Sequence, residues 1–157
     1  MADQVSVSRD IAAPAEQVWA MVSDVTRMGE WSPENISCTW LGGATSAQPG
    51  AKFRGANRNG SRKWKTVSTV VDAEVGRRFS FRVESLGLKV AEWSYTFEPT
   101  ASGCRVTESW TEQRPGFFKP IASLATGVPD RVSHNRAGME ATLERLAAAA
   151  ESAPAPA

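Results

Sequence analysis

The chain has 157 residues and a formal net charge of +1, from 18 basic and 17 acidic side chains with the one histidine neutral. This length suits one domain with a single core, and so balanced a charge gives no global field that would draw the protein to nucleic acid. No apolar run approaches the roughly 20 residues that cross a bilayer, and the first residues lack the features of a signal peptide. We therefore expect one cytoplasmic domain with no nucleic-acid partner and no stable membrane insertion.

The first part of the chain predicts a strand followed by two short helices. Apolar and polar residues alternate from 5 to 11, which is typical of a half-buried strand. A helix follows from Pro14, because proline fits the first helical turn, and its apolar residues recur at helical spacing. Gly29 interrupts a second short helix, after which Trp31 stands at a sharp corner before the next strand. An indole at such a corner suits the mouth of a cavity and a core plug equally well.

Six further strands are predicted, mostly joined by tight turns. They span residues 36–41, 51–57, 62–72, 78–84, 88–98 and 104–113. The Asn59-Gly60 pair is a strong hairpin signal. Strands connected in this way form an antiparallel meander, and the first strand of the chain can join its edge. Val70 and Val71 break the alternation of their strand, which fits a bulge and leaves the facing of that strand undecided.

Beyond Pro120 the apolar period becomes that of a helix. One helical stripe carries Val128, Val132, Met139, Leu143 and Leu146. The Pro129-Asp130 pair suits the start of this long helix. We expect a single domain over residues 3–150 and a disordered tail over residues 151–157, where proline alternates with alanine.

The stretch DVTRMGEWSPE, residues 24–34, together with the strand before it and the long strands after it, resembles the SRPBCC superfamily. These are START-related, pollen-allergen-like domains, and the similar branch is the polyketide cyclase/dehydrase and lipid-transport branch. The resemblance covers roughly residues 3–150. It implies an α+β helix-grip fold, in which a curved seven-stranded antiparallel sheet wraps around a long C-terminal helix, with two short helices after the first strand. It also implies an apolar cavity between the sheet and that helix.

The inward rows of the predicted strands would form the walls of such a cavity. Large aromatic side chains are interrupted there by Gly55 and Asn57, so that the rings either leave a void or interdigitate into solid core. The residues predicted to contact a ligand are Trp31, Phe53, Asn57, Trp64, Phe79, Phe81, Trp93, Tyr95, Phe97, Glu108, Trp110, Asn135, Arg136 and Met139. Phe117 and Phe118 are predicted either to form a lid over the mouth or simply to pack against the helix start.

Two charged residues break the apolar patterns around them. Glu108 lies between inward-facing residues of the last strand, and Arg136 lies within about 40° of the apolar stripe of the last helix. Because a buried charge needs a partner, we expect the two to neutralise each other. They would form either a fixed ion pair that ties helix to sheet or a polar anchor for a ligand. Glu108, Arg136 and Tyr95 are the only catalytic candidates, acting as base, oxyanion partner and proton donor.

The remaining reactive residues predict no further chemistry. No second inward carboxylate is expected, and His134 is predicted to be a solvated surface residue because it faces away from the apolar stripe. Cys38 and Cys104 lie far apart without ligand spacing, so we expect packed thiols and no metal. No glycine-rich nucleotide loop occurs, and no cofactor is expected. The basic residues around Asn59-Gly60 are interpreted as a solvated sheet surface.

These patterns predict a monomer or homodimer that binds a small apolar ligand, lipid-like or polyketide-like, in an internal pocket. One alternative is a polyketide aromatase/cyclase or dehydratase that uses the same pocket. A second alternative is a protein-interaction module, similar to co-chaperones or toxin–antitoxin components. Whether any reaction is catalysed is left open.

Overall fold

Seven strands and three α-helices are found in residues 3–153, the part of the chain that this computed structural model describes. In chain order they are β1 (Gln4–Ile11), α1 (Ala15–Ser23), β2 (Asn35–Leu41), β3 (Lys52–Asn59), β4 (Arg62–Glu74), β5 (Arg78–Ser85), β6 (Leu88–Thr100), β7 (Gly103–Glu112), α2 (Lys119–Thr126) and α3 (Arg131–Ser152). A short 3₁₀ helix, Val25–Glu30, follows α1.

The strands form one sheet in the order β1-β7-β6-β5-β4-β3-β2, and all neighbouring strands are antiparallel. Gly60 and Gly87, with φ angles of 61° and 75°, reverse the chain at two hairpins, where glycine is favoured because it has no side chain to clash. The curved sheet packs against α3. The predicted α+β helix-grip fold is confirmed, and so is the position of the first strand at the edge of the meander.

Strand β4 contains a bulge where the sequence alternation fails. Its register with β5 shifts between Val70 and Asp72. Val70 is 2% exposed and belongs to the core, while Val71 is only half-buried. The sequence left the direction of this strand undecided, and the structure shows that Val70 faces inward. The bulge accommodates the extra residue.

Helix α3 joins two parts of the core. Its N-cap is Asp130, whose carboxylate accepts a hydrogen bond from the Ser133 N–H at 3.2 Å, as expected for a helix that starts after Pro129-Asp130. The second half of α3 packs Leu143 and Leu146 into the main core. The first half places Met139 in a smaller apolar cluster with Val5, Ala91 and Trp110.

Two features differ from the sequence prediction. Helix α2 was not predicted, although Pro120 in its first turn and Gly127 after its last residue are typical of helix ends. Helix α3 runs on to Ser152, and Glu151 accepts a 2.9 Å hydrogen bond from the Ala12 N–H, so the predicted tail begins too early. Residues 154–157 of that tail lie outside the described residues. Among residues 3–153, none of the helices combines the length and apolar character that a membrane crossing requires.

Candidate functional site

An internal cavity of about 830 Å³ lies between the sheet and α3. Strands β3 to β7 supply most of one wall, and α2 with the first half of α3 supplies the other. Small residues among the large rings leave this space unfilled, notably Gly55, Ser68, Ala91 and Gly138. The volume and the mainly apolar walls are those of a small-molecule site.

Most of the residues predicted to contact a ligand line this cavity. They are Phe53, Asn57, Trp64, Phe81, Trp93, Tyr95, Glu108, Trp110, Asn135 and Met139. Strand alternation places the inward members of β3, β5, β6 and β7 on one surface, so neighbouring strands present their aromatic rings side by side. Cross-strand pairs such as Phe81 with Trp93, and Trp93 with Trp110, form a continuous aromatic wall.

Three aromatic residues that were predicted to line the cavity lie in solid core instead. Trp31 is 3% exposed, and the Arg27 guanidinium stacks over its ring at 5.0 Å, so it is the core plug rather than a mouth residue. Phe79 and Phe97 are also buried. They face the end of the sheet that α1 covers, where the Trp19 indole donates a 2.9 Å hydrogen bond to a β5 carbonyl. The space at that end is filled by α1.

Glu108 lies inside the cavity and is only 3% exposed. It is directly opposite Tyr95 on β6, and the Tyr95 hydroxyl donates a 2.7 Å hydrogen bond to its Oε1 atom. Its Oε2 atom is buried and has no hydrogen-bond partner among residues 3–153. Burial raises the pKa of Glu108 from 4.5 to about 8, although the hydrogen bond from Tyr95 opposes this change. Burial, together with the charge of Glu108, also raises the pKa of Tyr95 well above 10.

The predicted pairing of Glu108 with Arg136 is wrong, because Arg136 is exposed and does not line the cavity. In the first half of α3 the buried side carries Asn135 and Thr142. Around the helix axis, Arg136 lies about 100° from Asn135 and about 120° from Thr142, at roughly 100° per residue. The prediction measured its direction against Val132, which is only half-buried, and against Leu143, which is buried in the second half of the helix. The buried face turns around the helix axis along α3. One apolar stripe averaged over the whole helix therefore gave the wrong direction for Arg136 in the first half.

A second inward carboxylate, which the sequence analysis did not find, is Glu112 at the end of β7. Its side chain is 5% exposed and that of Arg114 is 8% exposed, and the two form a bidentate pair with Nε–Oε1 and Nη2–Oε2 distances of 2.8 and 2.6 Å. Burial opposes ionisation of Glu112, but Arg114 outweighs it and keeps the pKa below its usual value. The same alternation that placed Glu108 and Trp110 inward would have predicted Glu112.

At the mouth of the cavity Glu34 connects the start of α3 to the segment before β2. The Arg131 guanidinium donates to Glu34 at 2.9 Å, and His134 Nε2 lies 2.8 Å from the same carboxylate oxygen. Arg131 also stacks over the Trp64 ring at 5.8 Å. His134 is therefore half-buried, and its predicted surface position is corrected. Helical periodicity describes only α3 itself. It could not predict that the segment carrying Glu34, one hundred residues earlier, covers the side of the helix where His134 lies.

Helix α2 covers the opposite side of the mouth. Phe118 is buried and lines the cavity, whereas Phe117 is 69% exposed, so only one residue of the predicted lid faces inward. The C-terminal end of α2 is held by the β3–β4 hairpin. There the Asn59 amide donates to the Thr126 carbonyl at 2.9 Å, and the Arg62 guanidinium donates to the Leu124 carbonyl. Part of the basic hairpin thus holds α2 in place.

The other reactive side chains form no evident site. Cys38 and Cys104 are both free and buried, and burial raises the pKa of Cys38 to about 11 despite a hydrogen bond from Asn35. Nowhere in the described range 3–153 do three histidine, cysteine or carboxylate side chains converge as metal ligands would.

The comparisons with known proteins agree with this geometry. Residues 2–151 match the family described as polyketide cyclase/dehydrase and lipid transport. A Polyketide_cyc-like protein of Corynebacterium glutamicum is 32% identical to this chain and has a TM-score of 0.57, covering 97% of this chain and 91% of its own. No curated protein matches the sequence.

Two structures of lower identity share the fold. StfQ, a di-domain ARO/CYC from the steffimycin biosynthetic pathway, is 16% identical with a TM-score of 0.73, covering 96% of this chain and 51% of StfQ. Ara h 8.0201 is 12% identical with a TM-score of 0.71, covering 98% of this chain and all 100% of its own. The resemblance to the SRPBCC superfamily is confirmed, and the chain belongs to its polyketide cyclase/dehydrase and lipid-transport family.

Proposed function

We propose that the protein binds a small, largely apolar molecule, lipid-like or polyketide-like, in the cavity between the sheet and α3. The observation that supports this most directly is the unfilled volume of about 830 Å³ behind aromatic walls. An interior normally packs close to solid density, so a space of this size behind aromatic walls suits a ligand rather than a packing defect. A few polar groups at separate points of the wall would orient the ligand.

The mouth of the cavity suits an apolar ligand. Leu86 in the β5–β6 turn and Ile121 on α2 both line the cavity and are 88% and 57% exposed. Leu124, one turn further along α2, is 72% exposed. These side chains give an apolar molecule a surface to contact before it enters.

Native mass spectrometry of freshly purified protein tests the proposal, because a retained ligand would appear as a mass increment that denaturation removes. A cavity-filling variant provides the matched test. Gly138 lines the cavity, and a Cβ added there meets nothing closer than Pro33 Cγ at 4.0 Å. Gly138→Phe should abolish retention, whereas Gly138→Ala, with the same backbone change, should retain the ligand. Equal retention by both variants, or none by the wild type, would count against binding in this cavity.

A second candidate is catalysis on a poly-keto chain, as an aromatase/cyclase or dehydratase. It is favoured by Glu108, whose pKa of about 8 suits proton transfer near neutral pH. In its ionised form Glu108 could remove a proton next to a ketone, and Tyr95 is the nearest hydroxyl. Arg136 does not reach the cavity, so the predicted oxyanion partner is lost. Turnover of a poly-keto substrate by the wild type, and its loss in Glu108→Gln, would establish this function.

A further inference from the structure

We infer that Glu108, held in place by Tyr95, recognises an uncharged ligand group that accepts a hydrogen bond, a ketone or ester carbonyl, and that the cavity disfavours carboxylates and amines. This inference depends on the proposed function, since it names the chemical class of ligand for the same cavity.

One oxygen of the buried Glu108 carboxyl group is left without a hydrogen bond within residues 3–153. Tyr95 donates to Oε1 of Glu108, and Oε2 is left buried without a partner among the described residues 3–153. Buried polar atoms in folded proteins are nearly always hydrogen-bonded, because an unmade bond costs desolvation free energy. This atom belongs to a side chain that lines an 830 Å³ cavity, so a bound molecule can supply the missing partner.

Glu108 has no ion-pair partner among the charged side chains of residues 3–153 that line the cavity. The cavity's charged and titratable lining residues, apart from Glu108 itself, are Glu34, Cys38, Arg58, Lys65, Tyr95, Glu112, Arg114, Arg131 and His134. Glu112 is paired with Arg114, and Glu34 is paired with Arg131. Across residues 3–153, no Lys, Arg or His side chain forms an ion pair with Glu108. The two other carboxylates are neutralised within their own pairs.

The elements that surround Glu108 bring it no ion-pair partner among residues 3–153. The residue opposite it on β1 is Val7, and α3 contributes the neutral Asn135 and Thr142 to the cavity, while Arg131 and His134 of the same helix contact Glu34 instead. Arg136, which could have neutralised it, is exposed on the outer side of α3. An unpaired carboxylate is strongly disfavoured in such surroundings, so the carboxyl group keeps its proton at neutral pH. The upward shift of the Glu108 pKa has the same cause.

The position of the proton determines what the carboxyl group can bind. Oε1 already accepts from Tyr95, so the acid proton resides on Oε2 and makes that atom the donor of the carboxyl group. A donor of this kind needs an acceptor such as a carbonyl oxygen. A ligand carboxylate would also accept, but the lining cations outside the ion pairs of residues 3–153, Arg58 and Lys65, have exposed side chains, so a negative charge beside the buried Glu108 would stay uncompensated. An ammonium group has no lone pair to offer.

Three probes of one chain length separate these cases: a medium-chain methyl ketone, the corresponding carboxylate and the corresponding primary amine. Trp64, Trp93 and Trp110 line the cavity, so their fluorescence reports occupancy. We expect the ketone to bind the wild type at least fivefold more tightly than either charged probe. Glu108→Leu should weaken ketone binding roughly five- to tenfold, the usual effect of losing one hydrogen bond. Glu108→Gln keeps a donor of similar shape and should stay within about twofold of the wild type.

The pH dependence provides a second readout. Ketone affinity should be constant below the Glu108 pKa of about 8 and should fall as pH rises through it, because ionisation removes the donor. Glu108→Gln should abolish this fall. Histidine also changes charge in the neutral range, so the profile is repeated in His134→Gln, where the fall should persist. Thermal unfolding of each variant checks that it is folded before its affinity is compared.

Each outcome supports or overturns one statement. Preferential binding of the amine, growing stronger as pH rises towards the Glu108 pKa, would show an ionised anchor and overturn the inference. Equal binding of all three probes, unchanged in Glu108→Leu, would also overturn it but leave ligand binding intact. Binding of no probe, together with no retained molecule in native mass spectrometry, would reject the proposed function itself.

Discussion

Tyr95 and Glu108 lie directly opposite each other on β6 and β7, and the phenol donates a 2.7 Å hydrogen bond to the carboxyl group inside the cavity. Directly paired residues on one face of a sheet are close enough for such contact, so strand register alone brings the two together. Both side chains are buried, and the pKa of each is raised mainly by that burial. This polar feature of the cavity is therefore built from two neighbouring strands without help from a helix.

Tyr95→Phe removes the only hydrogen bond that the Glu108 side chain makes among residues 3–153. The bond stabilises the ionised form, so its loss should raise the pKa of Glu108 above about 8. The variant should also lose about 1–3 kcal/mol of unfolding free energy, because another buried acceptor lacks a partner. Urea unfolding and a carbon NMR titration of the glutamate carboxyl measure the two effects. Arg136→Ala is the control, since an exposed residue should change stability by less than about 0.5 kcal/mol.

The raised pKa of Glu108 also predicts how stability varies with pH. Its folded-state value of about 8 lies above the ordinary 4.5, so the folded protein holds this proton more tightly than the unfolded chain. The free energy of unfolding should therefore fall as pH rises from 4.5 towards 8, with a slope of up to about 1.4 kcal/mol per pH unit. The pKa of Glu112 is lowered, so its contribution to the free energy of unfolding is lost only as pH falls below 4.5, the ordinary pKa of a glutamate.

Comparison of the wild type with Glu108→Gln isolates this contribution. The amide cannot ionise, so the variant should show a flatter stability profile between about pH 5 and about pH 8 and should be the more stable protein at the upper end. Urea unfolding at several pH values provides the profiles. If the two profiles run parallel, Glu108 does not hold its proton in the folded protein.

Strand residues of the site were predictable because their period is two. Once β7 was recognised, Glu108 and Trp110 had to share a face, and the same step extends to Glu112. Helix residues were less certain, because steps of roughly 100° turn a small rotation of the buried face into a wrong assignment, as for Arg136. The contact between Glu34 and His134 depends on how a loop crosses a helix, and no periodicity within either segment describes that.

The Glu112–Arg114 pair should contribute measurably to stability. Both side chains are largely buried, so Arg114→Met leaves the Glu112 carboxylate without its cation. The variant should lose about 2 kcal/mol of unfolding free energy. This lies between the values for exposed and fully buried ion pairs, because the cavity can admit water. A double change to Glu112→Gln with Arg114→Met should recover much of this loss. Arg105→Met breaks the surface ion pair between Arg105 and Asp10. Both side chains are more than half exposed, so the melting temperature should stay nearly unchanged. A loss in the double variant as large as in the single one would refute the pairing argument.

Release of α2 from the β3–β4 hairpin should open the mouth of the cavity. Asn59 and Arg62 donate to carbonyls at the C-terminal end of this helix, where few other contacts hold it to the sheet. Asn59→Ala combined with Arg62→Ala should therefore speed amide hydrogen exchange across α2 while leaving α3 protected, because exchange reports local opening. Association and dissociation of an apolar probe should both accelerate, since access improves while the walls are unchanged. Lys63→Ala, at an exposed position of the same hairpin, is the matched control and should change neither rate. Unchanged exchange in the double variant would show that Phe118 and the rest of the interface hold α2 without the hairpin.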